Sequence, residues 1–351
     1  MDSLSEIVDV VIGVDTHVAT HSAAVLDART GGVLAEITVA ADPDGYEALV
    51  TLANEHSGLR AWAIEGTGSY GAGLTRHLAT TEELVIELDR PERAKRRNGA
   101  KSDPLDAIRA AREALSRTKL GTPRASGERQ ALSVLLAARR SAVEASTDAQ
   151  RQCFSLVIAA PEALRSKVSG RGLPAMVRCF ARLRIQPNWD TETRITASVL
   201  RDLARRALEL AAEAARHEKE ILAIVRSWRP DLLERRGVGP IVAASVLCAW
   251  SHPGRVRSEA AFAMLGGTAP IPANSGKVTT HYRLNRYGDR QLNRALHTIV
   301  LSRIRYDEAT QAYVKRRTAE GRTMREIRRC LKRYVARELF RLLENCPSSA
   351  T

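Results

Sequence analysis

The chain has 351 residues and an ordinary 44% hydrophobic content, enough for two or three domains with real cores. It contains neither a signal-peptide apolar region nor an uncharged apolar run of transmembrane length, so it is expected to be cytosolic rather than membrane-bound. Its five cysteines (Cys153, Cys179, Cys248, Cys330, Cys346) are odd in number, far apart and without C-x-x-C pairs, which argues against a disulfide framework or a zinc site. The net charge of +14 is unevenly placed. Residues 1–90 hold 4 Lys and Arg against 15 Asp and Glu, whereas residues 91–351 hold 50 against 25. That split is the footprint of a nucleic-acid binder that keeps its acids in one place.

Residues 7–14, 21–28 and 32–39 read as three strands, the last two joined as a hairpin through Arg29-Thr30-Gly31-Gly32. A helix is predicted from Pro43 to about His56, with Asp42 as N-cap and Pro43 at the first helical position. A strand over 59–65, a helix over 69–79 and a strand over 83–88 follow. Then come the basic stretch Arg90 to Lys101 and a helix from Pro104 to about Ser116. Three antiparallel strands followed by helix-separated strands are the order of a ribonuclease-H-like α/β fold. That fold carries its first acid on strand one and another on strand four.

From about Glu128 to Val157 and from Glu192 to Val225 the chain is rich in Ala, Arg and Glu. Leu200, Leu203, Ala207, Leu210, Ala211 and Ala214 recur at helical spacing, as in an antiparallel hairpin or coiled-coil arm. The Gly- and Pro-containing segment 170–190 is expected to turn the chain between the two arms. Further on, Gly237 and Gly239 stand between two helical segments, as in a helix-hairpin-helix. Backbone N–H groups at such a turn can hold a DNA phosphate without reading sequence, and a plain helix–helix turn would look the same. Helices over 256–265 and 289–305 flank a Gly/Pro-rich loop, and a basic helix is expected from about Thr323 to Leu343. The expected domains are 1–120 (ribonuclease-H-like), 121–229 (helical arm) and 230–351 (mainly helical).

Asp15 ends the apolar run Ile7 to Val14, and Glu65 ends the run Leu59 to Ile64. Asp103 and Asp106 open the next helix, three residues apart on one face. Acids delivered by two strand ends and one helical face can hold a pair of Mg²⁺ ions, with Mn²⁺ as a substitute. Such cations take oxygen ligands and bind phosphates well. Singly, each acid has a plainer reading: Asp15 capping a turn, Glu65 paired with an arginine, Asp103 and Asp106 forming a carboxylate capping box around Pro104. Upstream, Arg93, Lys95, Arg96, Arg97 and Lys101 form a basic flank suited to nucleic acid.

A second constellation follows Ala269. Ser275, before a glycine in a basic loop, can present its hydroxyl to a phosphate, but needs a base or a metal-bound partner to take its proton. Lys277, Arg283, Arg286 and Arg290 could neutralise charge on an attacked phosphate. By composition alone Ser275 is a turn residue, and Tyr282 is a rival hydroxyl. Of the histidines, only His17 and His281 stand close enough in sequence to serve as candidate proton acceptors.

GVDTH, EGTGSYG and KSDPLDA, followed by GTAP, SGK and RYGDRQLNRAL, resemble the DEDD transposases of the insertion sequence 110 family. These are bacterial mobile-element recombinases related in fold to Holliday-junction resolvases. The resemblance covers roughly residues 7–115 and 230–305. It implies that Asp15, Glu65, Asp103 and Asp106 bind Mg²⁺, and that Ser275 attacks DNA to form a covalent phosphoserine intermediate. It also implies a homo-oligomer, dimer or tetramer, in which the resolvase-like domain of one subunit meets the serine domain of another. A structured guide RNA that pairs with donor and target DNA is implied as well. Thr268 stands where the family often has leucine, and Gly266-Gly267 are expected to loosen that loop.

Three other readings compete. One is a hydrolytic Holliday-junction resolvase or ribonuclease-H-like nuclease, with water as attacker. Another is an actin-like ATPase, whose phosphate loop GVDTH resembles but whose second glycine-rich loop has no counterpart in the sequence. The last is an architectural nucleic-acid binder whose acids are caps.

Overall fold

The computed structural model describes residues 3–88, 103–272, 282–285 and 288–345. The chain divides into two compact units, residues 1–126 and 127–351.

In the first unit, α1 (Leu4–Ile7) leads into β1 (Val10–Thr16), β2 (Thr20–Asp27), β3 (Val33–Ala40), α2 (Pro43–Asn54), β4 (Arg60–Glu65), α3 (Ala72–Thr80), β5 (Leu84–Leu88) and α4 (Asp103–Ser116). The sheet order is β3-β2-β1-β4-β5. β1–β2 and β2–β3 are antiparallel, β1–β4 and β4–β5 parallel. This mixed sheet is consistent with the ribonuclease-H-like order expected from sequence. β1 is almost continuously apolar because both sheet faces are covered. Val11, Ala61, Ala63, Ile86 and Leu88 pack under α4, whereas Val10, Ile12, Val14, Trp62 and Ile64 pack against α2 and α3. Asp42 caps α2 by accepting from the Gly45 N–H at 2.9 Å, with Pro43 in the first turn. The first apolar run does not begin as strand. Leu4–Ile7 is a helical turn, and pairing starts at Val10, opposite Asp27 and Arg60. Leu4 and Val8 are apolar because they pack beneath α4.

The second unit comprises α5 (Glu128–Ala159), α6 (Glu162–Arg165), α7 (Leu173–Ala181), α8 (Thr191–Trp228), α9 (Pro240–Trp250), α10 (Glu259–Leu265), the short ribbon β6 (Pro270–Pro272) and β7 (Tyr282–Leu284), α11 (Arg290–Tyr306), α12 (Glu308–Ala319) and α13 (Met324–Glu344). α5 and α8 run antiparallel side by side. Arg139 meets Glu218 at 2.8 Å, and Ser146 Oγ donates to the Ala207 carbonyl at 2.8 Å. Buried Ala142, Ala149, Ala204 and Ala207 keep the seam narrow. At one end of this pair, Met176 and Phe180 of α7 pack on Ala197 and Leu200. At the other, α9, α10, α11 and α13 enclose a core with Ile221, Val225, Phe262 and Leu339.

Two sequence expectations shift here, and one helix appears where none was expected. The segment 170–190 is more than a turn, because α7 buries an apolar face within it. The chain before Gly237 is not a helix of its own: α8 ends at Trp228, ahead of Pro230, and one 3-10 turn (Pro230–Leu232) follows. α12 gives no sequence signal, since it buries no residue and so lacks apolar periodicity. Among the described residues, no helix is long and apolar enough to cross a membrane.

Candidate active site

Strand register decides which acids meet. β1 and β4 are parallel, with Val14 opposite Ile64. Asp15 and Glu65 are each one residue further on, so they are neighbours at the same sheet end. Both belong to the alternating set of Val11, Ala61 and Ala63, which faces α4. Gly13 lies in that set too. A Cβ there would fall 2.0 Å from the Ala107 carbonyl oxygen and 2.6 Å from the Ala111 nitrogen. Glycine therefore lets the α4 backbone rest on β1, and this close approach brings Asp106, next to Ala107, to the strand ends.

The electrostatics record the convergence. Glu65 is exposed overall, yet its carboxyl is held above the ordinary range, first by partial desolvation and then by the charges of Asp15, Glu113 and Asp106. Glu113 is an acid the sequence reading passes over. It lies on α4 seven residues beyond Asp106, on the same face, and pairs with Arg117. That two-turn spacing is the signal that could have found it. The Asp15 side chain is 17% exposed and meets His17 Nε2 at 3.1 Å, while Asp106 meets Arg109 at 2.6 Å. Thr16 Oγ1 donates to the Glu65 carbonyl at 3.0 Å and ties the strand ends together. Gly66, with φ +71, then turns the chain away. Across the sheet, buried His21 stacks on Tyr46, and burial holds its ring below the ordinary range.

Hard oxygen donors that repel one another suit a divalent cation, whose charge relieves the repulsion. Asp15, Glu65 and Asp106 fit that chemistry. Among the described residues, no group of three or more His, Cys, Asp or Glu closes into a ready-made metal site. Asp103 opens α4, and its side chain lies outside the described residues.

Of the remaining expected residues, Arg93, Lys95, Arg96, Arg97, Lys101, Ser275, Lys277, His281 and Arg286 lie outside the described residues. Arg283 stands in β7 opposite Ile271, and exposed Arg290 opens α11 behind its N-cap Asp289. Gly237 has φ +84, so its need for glycine is conformational, whereas Gly239 precedes α9 in extended backbone with open space before it. The Gly266-Gly267 loop is tight rather than loose. A Cβ on Gly288 would lie 2.5 Å from the Gly267 nitrogen, and Thr268 Oγ1 donates to the Ala263 carbonyl at 3.2 Å. A hydrogen bond thus anchors the position where the family often has leucine.

The mixed sheet is consistent with the core of a DEDD-type transposase, and two family models give the class. Residues 12–158 match the DEDD transposase model of the IS110 group, and residues 231–315 match the model described as the transposase IS116/IS110/IS902 family. The chain belongs to the IS110 family of transposases. It is also similar to the insertion element IS900 uncharacterized 42 kDa protein of Mycobacterium paratuberculosis, at 27% identity over 206 residues, 52% of this chain and 50% of that protein. The chain spans about half the length of that curated relative.

Proposed function

We propose that the chain is a Mg²⁺-dependent, site-specific DNA recombinase that excises and inserts an insertion sequence. The observation that supports this best is the meeting of Asp15, Glu65 and Asp106 at the ends of β1 and β4, beside α4. With Asp103, these acids would hold two Mg²⁺ ions, or Mn²⁺ in their place. Bound there, a divalent cation polarises a phosphodiester and neutralises its charge. Ser275 is the nucleophile. Its Oγ bonds to phosphorus as the bond from phosphorus to a deoxyribose oxygen breaks, and the leaving hydroxyl ends with the proton the serine gave up. The phosphoserine ester conserves the bond, so the hydroxyl of another strand can reverse the step on a new partner.

Lys277, Arg283, Arg286 and Arg290 neutralise the attacked phosphate. Arg93, Lys95, Arg96, Arg97 and Lys101, with the Gly237–Gly239 turn read as helix-hairpin-helix-like, hold the DNA backbone. Function divides at 1–120, 121–229 and 230–351, with the α5–α8 pair as a coiled-coil arm that joins copies. Phe154, Ile158, Ile195 and Val199 on that pair are exposed, as a surface covered by a second copy would be. A structured RNA supplies site choice, consistent with a sequence that carries no homeodomain or zinc-finger pattern.

The test uses the full chain, nicked element-end DNA and Mg²⁺, followed by denaturation to trap covalent protein–DNA adduct. Ser275→Ala should remove the adduct, and Asp15→Asn should remove both adduct and cleavage. An undiminished adduct from Ser275→Ala overturns this nucleophile. Cleavage without any adduct moves the assignment to a hydrolytic resolvase. RNA that co-purifies with the chain should carry loops matching the element ends and a target; recombination without RNA overturns the guide.

A further inference from the structure

α13 carries two kinds of cation. Arg337 and Arg341 close on the Glu259 carboxylate at 3.0 and 3.3 Å, and Arg333 donates to the Glu259 carbonyl at 3.2 Å. Arg325, Arg328, Arg329 and Lys332 occupy a different face at i, i+3, i+4 and i+7, and none of the four makes an ion pair among the described residues. Towards the helix C-terminus the same stripe continues as Ala336, Leu339 and Leu343, all in the core. The stripe turns cationic where the core ends.

α11 completes the patch. Lys332 Nζ donates to Asn293 Oδ1 at 3.1 Å, and Asn293 Nδ2 donates to the Gly266 carbonyl at 2.6 Å. One turn beyond Asn293, His297 is held below its ordinary range by burial and by the charges of Lys332 and Arg328. Burial and Arg329 lower Lys332 in the same way. Glu326 accepts from Thr323 at 2.9 Å and sits 3.6 Å from Arg322; its charge is also felt by Arg329, though the two make no ion pair among the described residues. A half-buried lysine bonded to a neutral amide among other cations is short of an anion. The place matters too. Gly266 begins the segment that carries Ser275, and both ends of that segment are pinned here. Asn285 Nδ2 donates to the Met264 carbonyl at 2.9 Å, and the Asp289 N–H to the Leu265 carbonyl at 2.6 Å.

We propose that this α11–α13 stripe, centred on Lys332, binds the sugar–phosphate backbone of the duplex DNA on which the Ser275 segment acts. The assignment rests on the recombinase reading above. DNA is the occupant because the stripe adjoins both roots of the segment bearing the nucleophile. A backbone phosphate relieves the repulsion among these cations and carries no sequence information, so this surface positions DNA rather than selecting it.

The experiment is fluorescence anisotropy of the full chain with a short random-sequence duplex over a salt series, with thermal melts to verify folding. The Arg328→Gln/Arg329→Gln double variant changes two exposed positions. It should bind about tenfold more weakly or worse, and its log–log salt slope should fall by about 2. Lys332→Gln should lower the slope by about 1, and Lys332→Arg should restore it. Arg341→Gln, on the Glu259 side, should stay within about twofold of the unmodified chain. Unchanged affinity and slope in the double variant overturn the stripe alone. An unmodified chain with no salt-dependent duplex binding overturns the recombinase reading along with it. A loss seen only with a structured RNA hairpin overturns the DNA assignment.

Discussion

The two units place charge by opposite rules. In residues 1–126, acids far apart in sequence are driven together because parallel strands in register end side by side, and Glu65 is pushed up by partial desolvation and then by the neighbouring acids. In residues 127–351, cations are spread along helices, and local acids decide which are held in ion pairs. Glu259, Glu338 and Glu218 engage Arg337, Arg303 and Arg139, while Arg328 and Arg329 make no ion pair among the described residues. Crowded like charge at a sheet end is costly and defines a point. Spread like charge on a helix costs little and defines a track. The first arrangement suits chemistry on one bond, the second suits holding a long polyanion.

The largest test of that contrast is Asp15→Asn or Glu65→Gln. Either should lower cleavage of nicked DNA by on the order of 10²–10³-fold, as loss of a group that stabilises developing charge does. Single arginine changes on the helical track should lower DNA affinity and leave the cleavage rate at saturating DNA close to normal. An arginine change as severe as Asp15→Asn would break the contrast. Next is Gly13→Ala, which forces a methyl against the α4 backbone and should destabilise the first unit by about 1–3 kcal/mol in urea unfolding. An unchanged unfolding curve would mean that α4 does not rest on β1.

Smaller effects sharpen the picture away from the site. Arg60 Nε and Trp62 Nε1 donate to Glu83 at 3.0 and 2.9 Å, and the Arg60 bond holds the Glu83 carboxyl below its ordinary range. A lowered acid stabilises the fold at neutral pH, and that stabilisation is lost as pH falls through the folded-state value. Glu83→Gln should therefore cost about 1–3 kcal/mol at neutral pH. The gap to the unmodified chain should close in acid; a constant gap in a pH series of unfolding curves would contradict the pairing. Least disruptive is a labelling test. Burial pushes the Cys153 thiol up to about 11, so alkylation of the native chain at mildly alkaline pH should spare it while partly exposed Cys179 reacts. Equal labelling rates would show that the α5–α8 seam opens.

Much of the first unit was legible in the sequence because its signals are local. Asp42-Pro43 starts α2, apolar runs mark β1 and β4, and an acid ends each run. What stayed hidden depends on partners far along the chain. A glycine inside an apolar strand signals close approach, but only the fold shows that Ala107 and Ala111 are what approaches Gly13. Glu113 looks like half of an ordinary i,i+4 pair with Arg117, and its nearness to Glu65 follows from how α4 crosses the sheet. α12 escapes because an element with no buried residue leaves no periodic trace. In the C-terminal unit, Arg328 and Arg337 look alike in sequence, and only the position of Glu259 separates them.

At Gly13 two main chains touch directly, and such a contact has no rotamers. The level at which α4 lies against the strand ends that carry Asp15 and Glu65 is therefore set by backbone against backbone, with a hydrogen atom at one position as the fulcrum.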